Sequence, residues 1–220
     1  MARLIFDLDG TLVHSAPTIA AAANGLLAEI GRDPLPLAAV LGYVGHGMRK
    51  LTEDVLNATG GVPGEGVDHH LAIYKRLYFA DPLTGTAPYP GVAEALAALA
   101  AAGHGLAVCT QKPDRPAQEI LEGFDLMPPV TVLTGGDSLP GVLKPDPRLF
   151  HHAADRLPEG PAIMIGDSET DAKTAANAGV PFLLHLGGYN HVPPERLGAA
   201  GVFSDWADLP ALAEATLARA

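Results

Sequence analysis

Asp7 and Asp9 lie two residues apart in Phe6-Asp7-Leu8-Asp9-Gly10-Thr11. Alternate side chains of an extended segment point the same way, so both carboxylates face one space. Two such charges roughly 4 Å apart repel by about 4 kcal/mol at an effective dielectric near 20. A folded chain keeps the pair when a cation, a proton on one partner or solvent relieves that repulsion. Two readings follow. One is a solvated acidic turn. The other is a carboxylate nucleophile beside a carboxyl acting as general acid and base, with a divalent metal between them.

Three more stretches place polar side chains at the ends of apolar runs or before a helix. Thr110, Gln111 and Lys112 follow Leu106-Ala107-Val108-Cys109. Gly166-Asp167-Ser168-Glu169-Thr170-Asp171 follows Ile163-Met164-Ile165. Lys144 stands in Leu143-Lys144-Pro145-Asp146-Pro147, just before a predicted helix N-terminus, where free N–H groups and the helix dipole favour anions. Taken singly, each has a plain role: Thr110 as a cap or turn residue, Lys144 as a solvated lysine, Ser168 and Asp171 as an S-x-x-D capping box. Taken together, carboxylates, a hydroxyl and a lysine at strand ends point to an anion and an oxygen-ligated divalent cation. Mg²⁺ suits that charge balance.

The elements that must position these groups alternate in the βα manner. Leu4-Ile5-Phe6 reads as a buried parallel strand, and so do 106–109, 130–133, 163–165 and 182–184, with 201–203 as a last short one. Helices are predicted from about Val92 to Gly103, over Pro116–Gly123, over Pro147–Leu157 behind the N-cap Asp146, over Ser168–Ala178 with Gly179 as terminator, and at the C-terminus. The fold class is therefore α/β: a doubly wound, Rossmann-like parallel sheet that binds ligands beyond the carboxyl ends of its strands. About seventy residues separate the first strand from the next, too many for a loop in a compact domain. Helical spacing over 12–30, then a Pro-rich connection, then helical spacing near 48–56 and 67–79, predicts an inserted helical cap. The division expected is a core of residues 1–14 and 86–220 with a cap of residues 15–85.

Composition narrows the function classes. The 220-residue chain is 48% apolar, enough for a core, and has no apolar run long enough for a bilayer. Its start lacks a basic segment followed by a long apolar one, so a cytoplasmic location is expected. Cys109 is the sole cysteine, which excludes intrachain disulfides and Cys-based zinc clusters; closing an apolar run, it reads as a small buried hydrophobe. The net charge of −11 argues against nucleic-acid and anionic-membrane partners. It leaves a small anionic substrate open, because screening over about 8 Å lets local cations govern a closed site.

Asp7-Leu8-Asp9-Gly10-Thr11, Thr110, Lys144 and Gly166-Asp167-Ser168-Glu169-Thr170-Asp171 resemble, in order, the four motifs of the haloacid-dehalogenase-like phosphatase superfamily. The long insertion matches its helical cap class. Tyr89-Pro90-Gly91-Val92, Gly135-Gly136-Asp137-Ser138-Leu139-Pro140, Lys144-Pro145-Asp146-Pro147 and Gly188-Tyr189-Asn190-His191 look like the phosphoglycolate phosphatase subfamily within it. The resemblance implies an Mg²⁺-dependent phosphatase acting on a small phosphorylated metabolite, 2-phosphoglycolate first. It implies that Asp7 attacks phosphorus to form an aspartyl-phosphate, and that Asp9 protonates the leaving oxygen and then activates water. Thr110 and Lys144, with Gly10 and Gln111 around them, would bind the phosphoryl group. Mg²⁺ would be held by Asp7, the backbone carbonyl of Asp9 and Asp167. Ser168 and Asp171 would support, Asp171 holding either Lys144 or the outer shell of the metal. Such chemistry is mostly positioning and charge neutralisation.

Two positions depart from the family pattern: Gln111 stands where asparagine is usual and His14 where aspartate is frequent. In the cap, Gly45-His46-Gly47-Met48-Arg49 opens a predicted helix and offers backbone N–H groups and a guanidinium to a substrate carboxylate; the plainer alternative is a glycine turn with a surface arginine. Its glycine spacing is not a dinucleotide fingerprint. His69-His70 and His151-His152 lie in helical stretches, about 100° apart around the axis, and read as surface histidines. The other readings are a different phosphatase or a phosphosugar mutase of the same superfamily, and a receiver-type phospho-acceptor, which lacks such an insertion. The protein is expected to act as a monomer or homodimer.

Overall fold

In the computed structural model, which describes residues 1–219, the chain begins with β1 (Arg3–Phe6) and β2 (Val13–His14). Four helices follow: α1 (Ala16–Glu29), α2 (Leu37–Leu41), α3 (Met48–Ala58) and α4 (Gly66–Ala80). After β3 (Ala87–Pro88) come α5 (Val92–Ala101), β4 (Gly105–Cys109), α6 (Asp114–Gly123) and β5 (Val132–Thr134). The chain ends with α7 (Pro147–Ala154), β6 (Ala162–Gly166), α8 (Glu169–Ala178), β7 (Phe182–His185), β8 (Gly201–Phe203) and α9 (Leu209–Leu217).

Six strands form one sheet in the order β5-β4-β1-β6-β7-β8, every pairing parallel. This is the α/β, doubly wound architecture that the alternation predicts. The two-residue period of a strand sends Leu4 and Phe6, Leu106 and Val108, and Ile163 and Ile165 to one face, where α5, α6 and α9 cover them. Ile5, Ala107 and Met164 point to the other face, under α7 and α8. Apolar residues on both faces give the sheet its continuous hydrophobic runs. Helices α1 to α4 build a third apolar cluster around Leu26, Leu27, Val55, Tyr74 and Tyr78.

Three boundaries differ from the sequence reading. The first helix starts at Ala16 rather than residue 12, because Val13 and His14 pair antiparallel with Pro88 and Ala87. That two-stranded ribbon carries the chain into and out of the helical insertion. The third strand of the reading shifts from 130–133 to Val132–Thr134, since Pro128 and Pro129 just upstream offer no N–H to a ladder. Within the Pro-rich connection, Leu37–Leu41 forms a short helix behind Pro36. No helix among the described residues is long and apolar enough to cross a membrane.

Candidate active site

β1 sits in the middle of the sheet between β4 and β6, at the point where the chain order turns from one side to the other. Ligands of open parallel sheets bind outside the carboxyl ends at such a switch point. Asp7 and Asp9 leave β1 there, Thr110 to Lys112 leave β4, Asp167 leaves β6, and Lys144 lies on the connection after β5.

Lys144 is the pivot. Its Nζ lies 2.9 Å from Asp7 Oδ2 and 2.6 Å from Asp171 Oδ1. Burial works against its charge, but Asp171 and Asp7 more than offset that, and its pKa is raised. Asp171 is itself fully buried and accepts from the Ser168 N–H and hydroxyl, while Ser168 caps α8 in return. The capping box and the support of Lys144 are thus one structure: Asp171 does both.

Asp7, Asp167 and Asp171 each offer an oxygen, all within 4.8 Å of one another. Burial pushes the Asp7 carboxyl up to about 6, partly opposed by Lys144. Burial, then Asp171 and Asp7, push Asp167 well above the usual carboxylate range. Asp167 accepts from the Thr11 hydroxyl at 2.9 Å and the Tyr189 N–H at 2.7 Å. Gly10 has φ +83°, and a Cβ there would strike the Asp167 carboxylate, so only glycine lets the first loop close on it. Three clustered carboxylates (Asp7, Asp167, Asp171) face one ammonium group (Lys144), leaving a formal −2 that suits one divalent cation with hard oxygen ligands.

Asp9 is held apart from that cluster. Its Oδ1 accepts from the Ser15 hydroxyl at 2.5 Å and lies 2.8 Å from Lys112 Nζ. Lys112, which the sequence places at the end of the second strand without a role, is buried and also donates to the hydroxyl of Tyr78 from α4. The only sequence signal for it was its place two residues after Thr110. Thr110 is buried at the end of β4 and its hydroxyl accepts the Lys112 N–H at 3.2 Å.

A cavity lies between the strand ends and the helices α1 to α4. Asp7, Asp9, Thr110, Gln111 and Lys112 line its floor; Val44, Met48, Leu51, Tyr74 and Tyr78 line its roof. Gly45 and Gly47 also line it, and Gln111 Nε2 donates to the Gly45 carbonyl at 2.5 Å. An asparagine would be one methylene shorter, so the departure at 111 coincides with a bridge from the loop after β4 to the segment before α3.

The structure does not bring Arg49 or His46 to the cavity. Both are exposed, and Arg49 pairs with Asp68 of α4. The reason is helical: Met48 turns inward, and the next side chain points about 100° away. The guanidinium expected at the substrate thus stands in an outward surface pair, away from this cavity.

His14 meets Tyr189, its Nδ1 3.2 Å from the Tyr189 hydroxyl. That hydroxyl also accepts the N–H groups of Ser15 and Ala16 at 2.8 and 3.0 Å. Tyr189 thus ties Asp167, through its backbone, to the first turn of the insertion, through its side chain. Tyr189→Phe is expected to cost about 1–3 kcal/mol, the range for leaving partly buried donors unmet. Urea unfolding reads this; an unchanged midpoint would mean that water replaces the hydroxyl without loss.

Residues 1–179 match the family model of haloacid dehalogenase-like hydrolases. The chain belongs to this family. A phosphoglycolate phosphatase of Cereibacter sphaeroides is 42% identical over 221 residues, covering 99% of this chain and 100% of that protein. One from Rhodospirillum rubrum is 43% identical over 213 residues, covering 94% of this chain and 88% of its own. The crystal structure of a predicted phosphoglycolate phosphatase from Haemophilus somnus 129pt superposes with a TM-score of 0.88 at 28% identity, over 96% of each chain. This member of the haloacid dehalogenase-like family is an enzyme, a phosphatase, and the receiver-type alternative falls away. Hydrolases of the family generally use a divalent metal, and the acidic triad here has the donors to bind one.

Proposed function

We propose that the protein hydrolyses 2-phosphoglycolate to glycolate and phosphate through an aspartyl-phosphate on Asp7. The observation that carries this reading is the placing of Asp7 and Asp9 on one cavity floor, Asp7 against Lys144 and Asp9 apart from it, in a chain similar end to end to phosphoglycolate phosphatases. Asp7 and Asp167, with the Asp9 backbone carbonyl, would hold Mg²⁺. Bound there, the cation supplies neutralising charge for the phosphoryl oxygens and the carboxylates.

The chain's own residues do the rest. A carboxylate oxygen of Asp7 attacks phosphorus as the bond to the ester oxygen breaks, and Asp9 gives that oxygen its proton. Asp9 then takes a proton from a water molecule, whose oxygen attacks phosphorus and breaks the bond to Asp7, releasing phosphate. Lys144 neutralises Asp7 before attack and holds the phosphoryl oxygens afterwards, with the Thr110 hydroxyl as a second donor. Asp171 keeps Lys144 charged and in place.

Inorganic phosphate release from a panel of small phosphate esters, with Mg²⁺ and with a chelator, tests the reading. The expected result is metal-dependent release with the highest kcat/KM for 2-phosphoglycolate. Faster release from a phosphosugar would keep Asp7 and Asp9 in their roles and discard the substrate. No release from any ester would remove the hydrolytic reading.

A further inference from the structure

Lys112 is the one basic side chain among the described residues that line the cavity. The roof opposite it is largely apolar, and a carboxylate entering there would lose its hydration with little in return. An ammonium has three N–H donors. One of those on Lys112 meets the Tyr78 hydroxyl and the ammonium pairs with Asp9 at 2.8 Å, which leaves at least one donor for a further acceptor. The group is well fixed: Nζ stands 4.5 Å from the centre of the Tyr78 ring, the Lys112 N–H bonds to Thr110, and the Lys112 carbonyl accepts from the Gly136 N–H at 2.9 Å.

We propose that Lys112 is the counter-ion for a carboxylate on the leaving group, and so the residue that selects a phosphorylated acid over a neutral phosphate ester. This deepens the reading above and rests on it. Asp9 delivers its proton to the ester oxygen, and in 2-phosphoglycolate a single carbon joins that oxygen to the carboxylate. A cation touching Asp9 at 2.8 Å therefore stands beside the place where that carboxylate falls. Arg49, the cation that the sequence suggested for this task, is exposed and engaged with Asp68. A charge-assisted bond from Lys112 also favours a short acid, because a carboxylate further along the leaving group passes Lys112 and meets the apolar roof.

The test compares kcat/KM for 2-phosphoglycolate and for 2-hydroxyethyl phosphate, the same skeleton with the carboxylate replaced by a hydroxymethyl group. Lys112→Gln keeps a donor toward Asp9 and Tyr78 and removes the charge; Lys112→Met is the second variant should the first not fold. The wild-type preference for the acid is expected to shrink by about 10- to 100-fold, the scale of a lost hydrogen bond to a charged group, with the change concentrated in KM for 2-phosphoglycolate. Equal losses on both esters would mean that Lys112 acts only through Asp9, and would overturn the proposal. Collapse of the preference in Arg49→Ala, with Lys112→Gln unaffected, would overturn it in favour of the cap. A wild type that hydrolyses both esters with no preference sinks this proposal and leaves the phosphatase intact. Silence toward both removes the substrate reading as well.

Discussion

Asp7→Asn is expected to reduce phosphate release by about 10⁵- to 10⁶-fold, the scale of deleting a catalytic nucleophile. The change is nearly isosteric, so the cavity and the placement of Lys144 against Asp171 should persist. What disappears is the carboxylate that bonds to phosphorus, and an amide offers no comparable lone pair. The folded protein should gain from the same change. Burial holds the Asp7 carboxyl up near 6, which means that its charge is disfavoured in the fold despite Lys144. Without metal, near neutral pH, Asp7→Asn should therefore melt above the wild type. Steady-state phosphate release and a thermal melt of the two proteins check both halves. A variant that retains turnover would mean that Asp7 is not the attacking group. One that loses turnover and melts well below the wild type would leave the nucleophile undecided and show that the Asp7–Lys144 pair holds the fold.

The metal-free enzyme is expected to lose stability as pH rises from about 4 to about 6, contrary to the usual behaviour of paired carboxylates. The sign follows from proton linkage. Asp7 titrates near 3.8 when unfolded and near 6 when folded, so between these values the folded state binds more protons and each rise in pH favours unfolding. The gap corresponds to roughly 3 kcal/mol. Asp167, raised by burial and then by Asp171 and Asp7, adds a loss of the same sign. Asp146, held down to about 2 chiefly by its hydrogen bond with Arg148, has the opposite sign but acts only at lower pH, so the two windows separate.

A divalent cation on the same carboxylates should reverse the trend, since it replaces the protons that relieve their repulsion. At about 100 times its dissociation constant it adds about 2.7 kcal/mol, which for a chain of this size is roughly 5–10 °C in Tm. Thermal melts at pH 5 and pH 7.5, with Mg²⁺ or with a chelator, give the four values needed. The largest metal effect is expected at pH 7.5, and the smallest at pH 5, where protons compete. A chelated protein more stable at pH 7.5 than at pH 5 would show that the clustered carboxylates do not strain the fold.

The sheet was legible in the sequence because a parallel strand buried on both faces must be apolar throughout, as in Leu4-Ile5-Phe6 and Ile163-Met164-Ile165. So were the residues at its carboxyl ends, because alternation sends the loops after successive strands to one edge. Motif order then tied Asp7, Asp9, Thr110, Lys144, Asp167 and Asp171 to one family. Tertiary structure alone decided the charge pairings. Lys112 and Arg49 are both lysine or arginine beside a motif, and nothing local says which is buried against Asp9 and which points to Asp68. That depends on how α3 and α4 rotate over the strand ends, which long-range packing of Leu51, Tyr74 and Tyr78 sets. Tyr189 is the same case: it stands 174 positions along the chain from the Ser15 amide that it accepts. Composition and spacing thus determined the chemistry this chain can do, whereas the choice of which cation meets which carboxylate was made only when distant segments packed, because a charge pair is fixed by proximity in space and not by distance along the chain.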